Sequence, residues 1–116
     1  MNLEKLLLDF ASGVTAQTAA ILRGDAKGGN KHAKKYIAAA KKLRTSGDAG
    51  WDAFSTLLKH PDIDVRTMAA TYLLPRRTAE ARAVLEEAAK GEGLIAFEAA
   101  ESLKRWDEGA WDLGPK

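Results

Sequence analysis

The feature that most constrains this chain is a repeat. Ala39-Ala40, Ala69-Ala70 and Ala99-Ala100 recur at an interval of 30 residues, and each pair is followed three residues later by a leucine: Leu43, Leu73 and Leu103. A fixed period of that length marks one supersecondary unit stacked in series, in which no unit buries its apolar face alone. Alanines let helices approach closely, and a leucine fills the space beside them. The period constrains architecture and leaves function open.

β-branched runs are absent and nothing alternates apolar and polar for long, so helices are expected throughout. Asn2 is a natural N-cap for a first helix carrying Leu3, Leu6, Leu7, Phe10, Val14 and Ile21, stopped at Gly24. Gly13 costs about 1 kcal/mol against alanine there and marks a place for a bend. A second helix is expected from about Asn30 to Arg44, with Ala33, Tyr36, Ala40 and Leu43 on one face and lysines on the other. Thr45 to Gly50 is the clearest loop. A third helix, about Trp51 to Lys59, turns Trp51, Phe54, Leu57 and Leu58 inward. His60-Pro61-Asp62 makes a sharp junction.

The fourth helix, about Asp62 to Leu74, buries Val65, Ala69, Tyr72 and Leu73 and ends at Pro75. Thr78 is placed to cap a fifth helix carrying Ala81, Val84, Leu85 and Ala88, with Gly91 as its stop. The sixth runs from about Leu94 to Trp106, and an irregular tail follows from about residue 107. Six helices make three antiparallel pairs in one all-α domain over residues 1–116. The second and third pairs align without a gap: Phe54 with Val84, Leu58 with Ala88, Val65 with Ile95. The first pair matches in its second helix, and a terminal repeat is expected to be atypical.

The 116 residues include no cysteine. Disulfides, thiol nucleophiles and cysteine metal sites are thereby excluded. The net charge of +2 is too small to argue for nucleic acid by itself. Glu4 and Asp9 interrupt the Leu6-Leu7-Leu8 run and no basic segment precedes it, so a signal peptide is not expected. No apolar stretch has the length of a membrane span. The expectation is a mature cytoplasmic protein with no membrane partner.

His60-Pro61-Asp62-Ile63-Asp64-Val65-Arg66, followed by Ala69-Ala70 and Leu73, resembles the HEAT-like repeat signature. Gly91-Glu92-Gly93-Leu94-Ile95 is a degenerate copy, without the proline and with Ala96 where the arginine would stand. From Val14 to Trp106 the chain is also similar to a family of small bacterial HEAT-like domains of unknown function. Arg23-Gly24-Asp25, the loop at Gly47, the His60-Pro61-Asp62 turn and Gly91 to Trp106 carry that similarity. The resemblance implies an α-α superhelix of HEAT/armadillo type, with no catalytic residue and no cofactor to carry over. It also implies an immunity-like role against secreted bacterial toxins as a family-level suggestion.

Lys31, Lys34, Lys35, Lys41 and Lys42 form the strongest electrostatic feature, with Lys27 in line if the helix begins earlier. They suit a docking surface for an acidic protein partner, or for phosphates, as readily as a solvated helix face. Arg66 is expected to serve structure, packing along the neighbouring repeat or pairing with an acidic residue, for which Asp62 and Asp64 are the local candidates and another repeat an alternative source. Trp106 is expected to seal the end of the core, Trp51 to be half-buried, and Trp111 to fold back over the last repeat. His32 and His60 lack the spacing of a metal or acid-base site. Glu98 and Glu101 share a helix face, but nothing apolar beside them in sequence raises a pKa. Gly24, Gly28 and Gly29 do not follow a strand and lack a phosphate-loop pattern.

The composite expectation is a non-enzymatic protein-interaction module, with toxin immunity by occlusion as its specific form. The alternative is a nucleic-acid-binding domain that uses the lysine face of the second helix.

Overall fold

The computed structural model describes residues 2–109. Every regular element among them is helical: α1 (Leu3–Leu22), α2 (Ala26–Arg44), α3 (Gly47–Ser55), a 3₁₀ turn (Thr56–Lys59), α4 (Ile63–Leu73), α5 (Thr78–Ala89) and α6 (Leu94–Asp107). The all-α expectation is what the structure shows. Where the sequence suggests one domain, contacts divide the chain into two compact units, Met1–Thr56 and Leu57–Lys116.

In the first unit, Asn2 caps α1 as expected, its side chain accepting from the Lys5 amide at 3.2 Å. The helix then runs without a break through Gly13. That glycine marks a close approach: a Cβ there would stand 3.1 Å from the Tyr36 Cβ and 3.2 Å from the His32 carbonyl oxygen. Gly24, with φ of 77°, reverses the chain into α2.

α2 begins at Ala26, four residues before the expected start. Asp25 is its N-cap, and the carboxylate accepts from the Gly28 amide at 2.8 Å. The bond to Gly28 is the main reason the Asp25 carboxyl is held below the usual carboxylate range. A good cap and the α1 packing outweigh the poor helix propensity of Gly28-Gly29. α3 likewise begins at Gly47 rather than Trp51, so the expected loop is mostly helix. Gly50 lies against the Leu43 carbonyl, where a Cβ would collide. Phe10 meets Tyr36 and Phe54 edge to face, at centroid distances of 5.8 and 5.0 Å. Val14, Leu43 and Trp51 complete this core.

In the second unit α4, α5 and α6 pack on one another. Val65, Leu73, Ala81, Leu85 and Ala99 are fully buried. Thr71 and Ser102 join α4 to α6 through their hydroxyls at 3.0 Å. Arg82 and Asp107 join α5 to α6 with a two-pronged ion pair at 2.7 and 3.2 Å. Thr78 does not cap α5. Its hydroxyl donates back to the Leu74 carbonyl at 2.6 Å, and Arg77 holds the N-cap position.

The repeat is visible in burial. Ala39, Ala69 and Ala99 are all buried, as are Ala40 and Ala70, and Leu43 and Leu73 are fully enclosed. Ala100 is exposed and Leu103 only half-buried. The third copy keeps the inward half of the element and loses the outward half.

Candidate interaction surface

α2 contains six lysines and one arginine between Ala26 and Arg44, and no acidic residue. Its buried side is Gly29, Tyr36, Ala39, Ala40 and Leu43. Lys27, Lys31, Lys34, Lys35, Lys41 and Lys42 are all exposed on the other side. The earlier helix start brings Lys27 onto this face. Lys35 donates to the Ser12 hydroxyl of α1 at 3.0 Å. Among the described residues, none of the other five lysines makes an ion pair. The structure therefore gathers all the lysines singled out from sequence on one helix face, with their charge directed at solvent.

The basic residues of the second unit are placed differently. Arg66 does not pair with Asp62 or Asp64. Its Nη1 donates to the carbonyls of His60 and Pro61 at 2.8 and 3.0 Å. The guanidinium has five N–H donors, and main-chain carbonyls of the turn satisfy part of them in place of carboxylates. Asp62 holds the N-cap position through its backbone alone, with no side-chain cap bond, and its carbonyl accepts from the Arg66 amide at 3.1 Å. Asp64 accepts from the Val65 amide at 2.9 Å. His60 is part of the same turn, its Nδ1 accepting from the Asp62 amide at 3.0 Å.

Trp106 is half-buried in the last turns of α6. Trp51 is more buried than expected, at 8% exposure. Trp111 lies outside the described residues. Glu98 is pushed above the usual carboxylate range by burial and by the nearby charge of Asp64. Sequence spacing concealed this because Asp64 stands on α4 and not on α6. No group of three or more histidine, aspartate or glutamate side chains among the described residues is arranged to hold a metal ion. No helix among them is long and apolar enough to cross a membrane.

One concavity was not foreseen. A cleft of about 240 Å³ opens in the second unit, with Leu58, Ile63, Arg66, Val84, Glu87 and Ala88 among the residues that line it. That volume is below the range of typical ligand pockets, which is roughly 300–1,000 Å³.

These features define a class: a small all-helical protein with one strongly basic, solvent-facing helix. No family model matches the sequence, and the search of curated proteins likewise finds no match. The chain is similar over all of its length to the protein RPA1889 from Rhodopseudomonas palustris CGA009, whose crystal structure it matches with a TM-score of 0.88 at 25% identity, covering 95% of that chain. The likeness establishes the fold, and the neighbour's name carries no activity with it.

Proposed function

We propose that this chain is a non-enzymatic protein-binding module, built on HEAT-like repeats, that docks an acidic partner on α2. The supporting observation is the contrast in how cations are used. Arg66 and Arg82 are committed to contacts within their own unit. The α2 lysines are exposed, clustered and without a carboxylate among the described residues. A face of that kind steers an acidic surface into register and suppresses basic competitors. Affinity would come from a few apolar or aromatic anchors beside it. Toxin neutralisation by occlusion is the specific form of this reading, and it draws on the family resemblance.

The test is a variant with Lys31, Lys34, Lys35, Lys41 and Lys42 all changed to Glu. Partners that co-purify with the wild type at low salt should be acidic proteins, and the variant should lose them. A toxin encoded beside the gene should be neutralised by the wild type and not by the variant. Undiminished binding by the variant would overturn the proposal. A shift of duplex DNA whose affinity falls steeply with salt would replace it with the nucleic-acid reading, because each neutralised phosphate adds about one unit to the salt slope.

A further inference from the structure

The exposed face of α1 lies beside the lysines and has no role in the fold just described. Leu8, Ser12, Thr15, Ala19 and Leu22 are all exposed. Their spacing of four, three, four and three residues places them on one stripe of the helix. Leu8 is 69% exposed and Leu22 is 73% exposed, so both ends of the stripe are apolar and open. The stripe is uncharged along its length, roughly 21 Å at 1.5 Å per residue.

The contacts of Gly13 with His32 and Tyr36, and of Gly29 with Gln17, Ala20 and Ile21, make α1 and α2 antiparallel. The 3.0 Å bond from Lys35 to Ser12 sets the register at the border of the stripe. Continued by the helical rise in opposite directions, that register sets Lys31 level with Ala16, one turn earlier on α2, and Lys42 level with Lys5, two turns later. Asp9 is the carboxylate on that border, and Lys5 already pairs with it at 3.2 Å. The stripe therefore has a cationic edge.

We infer that the α1 stripe and its lysine edge receive an amphipathic helix of the partner, apolar on the face that meets α1 and carrying carboxylates along one flank. This rests on the acidic-partner reading and states how that partner arrives. Ser12, Thr15 and Ala19 are small, so a second helix can lie close along α1 with Leu8 and Leu22 gripping its ends. Lys31, Lys35 and Lys42 choose the acidic flank and the direction of entry. A lipid surface would need larger apolar side chains in the middle of the stripe. A nucleic acid would gain nothing from an uncharged strip that offers no aromatic ring for its bases.

The probe is a synthetic helical peptide of about six turns, with a leucine-alanine stripe and glutamates along one flank, titrated by fluorescence anisotropy. It should bind the wild type and weaken about tenfold or more with T15R, which blocks the exposed middle of the stripe. K31E/K35E should weaken it to a similar degree, and a version with lysine in place of glutamate should not bind. Circular dichroism should show both variants folded. Loss with K31E/K35E but full binding by T15R would overturn the helix-docking inference while sparing the acidic-partner reading. Absence of binding by the wild type would overturn the inference. Binding to anionic vesicles that T15R abolishes and the peptide does not displace would overturn it in favour of a lipid surface.

Discussion

The two units of this molecule solve the same packing problem with different means. The first brings helices together at glycines, with Gly13 against Tyr36 and Gly50 against the Leu43 carbonyl. Five of its six α2 lysines make no ion pair among the described residues and face solvent, while Lys35 bonds to Ser12. The second unit ties its helices through side chains, with Arg66 on turn carbonyls, Thr71 on Ser102 and Arg82 on Asp107. Arg66 and Arg82 are thereby occupied. Backbone closeness in the first unit leaves most of the α2 charge facing solvent, while two arginines of the second unit are held by side-chain bonds. The repeat period is shared, but the surplus charge is not.

The comparison breaks first at Gly50. Gly50→Ala should destabilise the first unit by roughly 2–3 kcal/mol, because the new methyl meets the main chain of Leu43, which cannot yield cheaply. Chemical denaturation measures this, and an unchanged midpoint would show that α2 and α3 are not held this closely. Arg66→Met comes next. It keeps the apolar stem over the cleft and removes two hydrogen bonds to the proline turn, a loss of about 1–3 kcal/mol by the same measurement.

Two carboxylates sharpen the contrast with smaller effects of opposite sign. Glu98 is raised by burial and by Asp64. A carboxyl whose folded pKa is raised contributes stability below the ordinary carboxylate range, and that contribution is lost as pH rises through the raised value. Glu98→Gln should therefore raise the melting temperature near pH 7 and give no gain near pH 4, as followed by thermal melts. Asp107 is lowered, chiefly by its hydrogen bond with Arg82. Its contribution is present above the ordinary carboxylate range and is lost as pH falls through the lowered value. Asp107→Asn should cause a small drop in melting temperature near neutral pH, removed by high salt because the pair is exposed.

How far the sequence discloses these features depends on whether a signal is local. The Ala-Ala-x-x-Leu period, the Asn2 cap and the lysine face are local, and the structure places them as read. The start of α2 is not, because Gly28-Gly29 lowers propensity while the Asp25 cap and α1 packing restore the helix. The continuous α1 depends on Tyr36 coming close to Gly13, a tertiary cause for a residue that reads locally as a bend. Asp62 and Asp64 are the carboxylates nearest Arg66 in sequence, yet its guanidinium reaches the carbonyls of the turn. Glu98 has its perturbing neighbour Asp64 on another helix. The uncharged stripe of α1 was present at helical spacing, but only burial separates an open face from a packed one.

On the proposed reading the α2 lysines serve recognition and not folding. Its most direct test pairs two readings on one variant, with Lys31, Lys34, Lys35, Lys41 and Lys42 changed to Gln. Thermal unfolding should be unchanged or slightly more favourable, since like charges on one helix repel. Binding of the glutamate-flanked peptide, or of an identified acidic partner, should fall by at least about tenfold, equivalent to roughly 1.4 kcal/mol. A variant that loses stability while keeping its affinity would contradict the account.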